Sequence, residues 1–229
     1  MRNTKAALQA LERSYGLCDA GDQITALDWV ERALKLDAEL AAAHTQLGWI
    51  LENLGSVRLP EARAAYERAL VLEPSDLWAV LGLATVLTRL GFADRAAELY
   101  RRVVDEASGR LEDEPDLYEA LGWAQHRLGR NDHAEATLRA ALLVRADDVA
   151  ARLDLGIVLL AAGRPEEGLD ELARALADAT PADRGNLAVA LDDLDGVLVD
   201  HHDLEGGARA RAMLAEALGA APGARVTPG

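Results

Sequence analysis

The chain has 229 residues, half of them apolar, so burying a core needs no staples. Its formal charge of −15 makes the phosphate-contact term that dominates nucleic-acid and anionic-membrane binding repulsive, which excludes both as partners. Ala, Leu and Val supply most of the apolar residues, aromatics are 4% and prolines number seven, a bias toward helix over strand that predicts an all-α chain.

Taken in chain order, five segments repeat one pattern: a first helix ending Leu-Gly, a second helix carrying a small residue, and an Ala-Leu-x-x-x-Pro-like stop. The segments run about 7–40, 41–76, 77–114, 115–148 and 149–182. The inter-helix glycines Gly21, Gly55, Gly91, Gly129 and Gly163 are spaced by 34, 36, 38 and 34 residues. This is a 34-residue unit with two extra residues near Ser56 to Pro60 and four near Ser108 to Asp113, both in loops, where a repeat array tolerates them. Pro60 and Pro165 sit at helix starts, where a missing N–H does no harm, and Ser75-Asp76 and Asn131-Asp132 offer capping oxygens. Beyond Pro181, Gly185 to Val199 reads as a long first helix and Ala208 to Leu218 as a second, a divergent sixth pair over 183–222 that closes the C-terminal end. The small, unpatterned residues 223–229 are expected to form a flexible tail. No second domain is expected.

The register resembles the tetratricopeptide repeat (TPR) family, whose consensus places Leu-Gly at repeat positions 7 and 8, small residues at 20 and 27, and Pro at 32. Position 7 holds Leu47, Leu83, Leu121 and Leu155, and position 8 holds Gly48, Ala84, Gly122 and Gly156. Position 20 holds Ala26, Ala62, Ala96, Ala134 and Gly168, and position 24 holds Tyr66, Tyr100, Leu138 and Leu172. The small residues of the first helices are expected to face Ala69, Ala141 and Ala175, with Val103 a tighter fit. Departures are the family's Trp at position 4, replaced by Ala10, His44, Val80, Tyr118 and Arg152, and Arg13-Ser14 where Leu-Gly is expected, which reads as a capping repeat. The resemblance implies a right-handed α-solenoid of five TPR-like pairs plus the sixth, whose concave side, lined by first helices, holds an extended peptide or a partner helix.

In that register positions 5, 9 and 12 point inward. They are Leu11, Tyr15 and Cys18; Thr45, Trp49 and Glu52; Leu81, Thr85 and Thr88; Glu119, Trp123 and His126; and Leu153, Ile157 and Leu160, with Trp78 added from position 2. Trp49, Trp78 and Trp123 either anchor a partner or fill gaps between repeats, and the sequence leaves both open. Trp29, on a second helix, reads as core or convex surface. The family's carboxylate clamp needs Lys and Asn at positions 5 and 9, where this chain has Leu11, Tyr15, Thr45, Trp49, Leu81 and Thr85, so clamp-type binding of an acidic peptide end is not expected. Arg89 and Arg127 at position 13 read as solvated. Acidic residues cluster at Asp105, Glu106, Glu112, Asp113, Glu114 and Asp116 and from Asp192 to Glu205, as a dock for a basic segment or as plain solvation.

Chemistry has few candidates. Cys18 lacks a His in its own repeat, and His201 and His202 point about 100° apart on a helix, which suits a helix end better than a metal site. His44, His126 and His133 complete no catalytic set, and no phosphate loop is present. No cofactor, metal or catalytic activity is expected. The lone cysteine and the start MRNTKAALQA, without an apolar run, suggest a reducing cytoplasm, and the Ala, Arg, Leu and Asp bias a GC-rich bacterial source. The expected function is a protein-interaction adaptor, scaffold or chaperone for a neutral-to-basic, partly hydrophobic partner. The alternative is a self-assembling scaffold of copies of the chain.

Overall fold

A computed structural model describes residues 3–201 and 204–219, so His202, Asp203, the last residues of the expected sixth pair and the expected tail lie outside it. The described residues form twelve α-helices and no strand: α1 (Thr4–Asp19), α2 (Gln23–Leu36), α3 (Ala41–Asn53), α4 (Leu59–Leu72), α5 (Leu77–Arg89), α6 (Ala93–Ala107), α7 (Leu117–Arg127), α8 (Asn131–Val144), α9 (Val149–Ala161), α10 (Pro165–Asp178), α11 (Arg184–Asp200) and α12 (Gly207–Ala217). Short 3₁₀ turns, Ser56–Arg58 and Pro181–Asp183, precede α4 and α11. The first of these accounts for the extra residues after Gly55. The four extra residues after Ser108 fall in the turn between α6 and α7, and Pro60 and Pro165 occupy first-turn positions of α4 and α10.

Helix ends follow from single residues. Asp22, Asp76 and Asp148 accept the N–H of the third residue on, from Thr25, Ala79 and Ala151, capping α2, α5 and α9. Asn131 departs from its expected capping role: it lies inside α8, and its side chain turns to His126 instead. The first helices of the first five pairs are followed by a glycine at positive φ, as at Gly91 (83°) and Gly129 (73°), a conformation that a Cβ disfavours. The next N–H then reaches back five residues, from Phe92 to the Leu87 carbonyl and from Arg130 to that of Gln125, satisfying carbonyls the helix leaves open.

The chain divides into two compact units, up to Val103 and from Val104, as a repeat array that packs only near neighbours allows. In the first unit α1 packs on α2 and α3 on α4, and α3 contacts both α1 and α5. In the second α7 packs on α8, α9 on α10 and α11 on α12, and α9 contacts both α7 and α11. First helices therefore neighbour first helices in each unit.

The pairs close tightly at glycines. A Cβ on Gly48 would lie 2.8 Å from the Tyr66 ring, and on Gly122 and Gly156 2.7 Å from Cγ of Leu138 and Leu172, so position 8 meets position 24. Tyr66, Leu138 and Leu172 are fully buried, each worth roughly 1.5–3 kcal/mol of apolar transfer. The first pair obeys the same rule with a different residue. Ser14, expected to mark an irregular cap, is buried in the crossing and donates its hydroxyl to the Ala26 carbonyl at 2.9 Å.

Candidate binding face of the first helices

In the first unit, the positions expected to face inward lie on the neighbouring first helices α1, α3 and α5. Leu11 and Leu81 are buried, and Trp49 is half-buried against the cluster around Ile50 and Val30. Tyr15 and Trp78 are 43% and 37% exposed. Polar ties fix the helices beneath them. The Thr45 hydroxyl donates to Asp76 at 2.6 Å, and since Asp76 also caps α5, this bond joins α3 to α5. The Thr85 hydroxyl donates to the Leu81 carbonyl and, with Thr88, meets the Tyr100 hydroxyl of α6.

Glu52 belongs to the frame. It is buried, accepts the Tyr66 hydroxyl at 3.0 Å, and Arg89 donates to its backbone carbonyl with a guanidinium nitrogen 3.9 Å from its carboxylate. Burial, reinforced by that carboxylate, holds the Tyr66 phenol well above its ordinary pKa. Arg89, read as solvated from the sequence, is engaged here. Trp29 is half-buried, with the guanidinium carbons of Arg13 and Arg32 4.7 Å and 4.9 Å from its ring centroid.

Cys18 is buried beside Gln46, whose amide donates to its sulfur at 3.1 Å, and burial, with Asp19 nearby, pushes the thiol up to about 12. Thiolate is then negligible near neutrality. A disulfide-exchange reagent at pH 8 is expected to label Cys18 at least a hundredfold more slowly in the native protein than in urea; equal rates would show an open site.

In the second unit the same positions are distributed differently. Leu153, Ile157 and Leu160 are wholly buried and serve as core. Trp123 and His126 are also inside, 7% and 8% exposed, with ring centroids 5.0 Å apart and the His126 Nδ1 2.9 Å from the Asn131 amide oxygen. The ring of Trp123 is thus covered rather than presented at the surface. Glu119 on α7 and Asp154 on α9 are both half-buried.

Burial, with Asp148 next, raises the Glu119 carboxyl to about 7, and burial, with Glu119 next and then Asp193 of α11, holds the Asp154 carboxyl well above its ordinary range. Arg145, bonded to Asp116 at 2.8 Å and Asp148 at 2.6 Å, offsets only part of the rise at Glu119. Asp154 was not among the expected inward residues. The available signal was a carboxylate at a repeat place filled by Gln46, Gly82 and Ala120 elsewhere.

Several other carboxylates of this unit are paired. Arg110 grips Glu114 at 2.7 and 2.8 Å, Arg164 bridges Glu135 and Glu167, and Glu171 takes Arg152 and Arg174. Asp105, Glu106, Glu112, Asp113 and Asp116 are exposed, as either reading of that cluster required. His44 lies 3.0 Å from the Ala38 carbonyl, while His133 and His201 are exposed, the latter just past the end of α11. Among the described residues, no group of three His, Cys, Asp or Glu is placed to hold a metal ion, and no helix is long and apolar enough to cross a membrane.

With this geometry in view, comparison with known proteins places the repeats. A family model described as the tetratricopeptide repeat matches residues 58–110 and 119–184, more than half of the chain. The cellulose synthase operon protein C of Xanthomonas axonopodis pv. citri (strain 306) is 27% identical over 216 residues, 92% of this chain and 13% of that protein. The human protein O-mannosyl-transferase TMTC1 is 30% identical over 128 residues, 56% of this chain and 14% of that protein. The chain thus spans a small fraction of the length of either relative. The crystal structure of a thermophilic TPR protein from Thermus thermophilus superposes with a TM-score of 0.60 at 24% identity, covering 82% of this chain and 99% of that one, a likeness of fold.

Proposed function

This chain belongs to the tetratricopeptide repeat family, and on that premise we propose that it is a non-catalytic adaptor or scaffold that seats a peptide or helix of another protein on its first-helix faces. The family's fold is that of a protein-interaction or scaffold module, and its repeats are generally not catalytic. The observation that carries the finer reading is the pair of exposed aromatics, Tyr15 and Trp78, over an apolar floor of Leu11, Leu81 and Trp49. Rigid rings that are partly desolvated before binding lose little entropy when covered, which is why aromatic anchors dominate recognition sites. The polar ties at Thr45, Asp76 and Thr85 hold the helices in place without spending the rings. A chaperone for one client uses the same surface. The mannosyl transfer named for the human relative stays with that protein.

The test is selection of peptides from a random displayed library on the wild-type chain, followed by affinity measurement on Tyr15→Ala and Trp78→Ala. Each truncation is expected to weaken the selected peptides at least tenfold at unchanged helix content, about 1.4 kcal/mol or more. Affinities indifferent to both substitutions remove this face from the binding surface. Self-assembly would instead appear as a solution mass that rises with concentration in the wild type and not in these variants.

A further inference from the structure

We infer that Arg13, Trp29 and Arg32 form a receptor for paired carboxylates, the neighbouring Asp or Glu side chains of an acidic protein segment. The site goes beyond the proposed aromatic face and lies on other residues. One indole gathers two cations. The guanidinium carbon of Arg13, on α1, lies over the Trp29 ring at 4.7 Å from its centroid, and that of Arg32, on α2, at 4.9 Å. Both arginines are exposed while the ring is half-buried, so the ring fixes where two charges stand on an open surface.

Neither guanidinium is spent. Among the described residues no carboxylate lies within ion-pair distance of Arg13 or Arg32, and neither donates a hydrogen bond, whereas Arg58, Arg63, Arg110, Arg145, Arg164 and Arg211 each hold an acid. The choice is informative at Arg32. Asp28 precedes it by four residues, the spacing at which a helix pairs an acid with a base, yet the guanidinium lies over the indole instead. Glu31 is matched with Lys35 at 3.8 Å, and Glu12 lies about 100° around α1 from Arg13. A guanidinium over an aromatic face covers its poorly hydrated flat side and keeps its edge N–H donors for an oxyanion, which a planar carboxylate can meet two at a time. Two such forks on one ring suit two neighbouring carboxylates.

The repeat register sets the site apart. Arg13 takes position 7, where Leu83, Leu121 and Leu155 are buried, so the first pair exposes a cation at a place that later pairs close with a leucine. Arg13 and Tyr15 lie roughly 200° apart around α1, which separates this receptor from the proposed aromatic anchors. The chain's charge of −15 repels long polyanions such as nucleic acid and restricts the fit to a short acidic stretch.

The test is fluorescence anisotropy of two dye-labelled nonapeptides on the full chain at pH 7 and low salt, alike except for Glu-Glu or Gln-Gln at the centre. The Glu-Glu peptide is expected to bind at least tenfold tighter. The preference should vanish in an Arg13→Gln, Arg32→Gln double variant, and Arg13→Lys with Arg32→Lys, which keeps the charge and loses the forks, should restore only part of it. Because removing two positive charges weakens any acidic ligand, the control is Arg95→Gln with Arg101→Gln, exposed residues of α6, which should keep the preference. Circular dichroism of the variants should match wild type, so that a lost preference reports the site and not the fold. Equal binding of the two peptides, a preference kept by the Arg13→Gln, Arg32→Gln variant, or one lost equally in the control overturns the inference. The aromatic face is judged separately: Tyr15→Ala and Trp78→Ala should leave the Glu-Glu preference intact, and failure here leaves the peptide-holding role standing.

Discussion

Gly82→Ala is expected to destabilise the first unit by about 2–3 kcal/mol, although the substitution adds a good helix former to a helix interior. A Cβ there would lie 2.2 Å from Cζ and 2.4 Å from the hydroxyl of Tyr66, whose ring is also close to Gly48, is fully buried and donates its hydroxyl to Glu52. To make room the buried ring or the helices must shift. Overpacking of this kind costs about 1–3 kcal/mol and at times more, while alanine returns only about 1 kcal/mol of helix propensity. The control is Gly16→Ala on α1, where nothing lies within 4 Å, expected to stabilise by roughly 0.5–1 kcal/mol. Urea unfolding of both, and of Gly82→Ala combined with Tyr66→Leu, checks the mechanism. In the double variant the Gly82 penalty should disappear, a coupling of about 2 kcal/mol, and a penalty that persists would place the strain elsewhere.

That lock was half-legible. Tyr66 and Gly48 fell into register because the repeat fixes positions 8 and 24, and four repeats in phase repeat the argument. Gly82 did not, since its place in the unit carries Gln46, Ala120 and Asp154 in other repeats and so leaves no periodic trace. Helix existence, pairing and turn glycines were legible for a plain reason: they depend on local chemistry and on a 34-residue period. The wall each small residue meets depends on how far one helix slides along another, which a period does not specify. Ser14 illustrates the difference. It looks like a broken Leu-Gly in the string, yet its size satisfies the crossing and its hydroxyl finds the Ala26 carbonyl.

The candidate site divides along the same line. Tyr15, Trp49 and Trp78 lie on first helices, as the repeat register expects. Accessibility was not readable, because it depends on how neighbouring elements pack over the same phase. Trp123 and Trp49 share repeat position 9, yet one ring is buried beside His126 while the other is half-open. Glu52 and Glu119 also looked alike as acids of one groove. Tyr66 and Arg89 absorb the first; the second has no such neighbours.

That absence gives the second large effect, a rise in stability as pH falls from 8 to about 5. Glu119 titrates near 7 in the fold, and the Asp154 carboxyl is held well above its ordinary range, so in this window the folded state binds more protons than the unfolded chain, whose carboxyls titrate near 4. Stability therefore increases on acidification and is fully gained below the unfolded values; the penalty returns as pH climbs through the folded ones. A displacement of this size is worth about 2–3 kcal/mol, or roughly 5–10 °C in melting temperature for a unit of this length. The rise ends near pH 4–5. There Glu135, held low by Arg139 and Arg164, begins to lose its advantage as pH falls toward its folded value. Thermal melts between pH 8 and 4 on wild type and Asp154→Asn distinguish the cause. The variant should begin higher at pH 8 and show a flattened profile. Parallel profiles for the two proteins would mean that the carboxylates are solvated as ordinary surface acids.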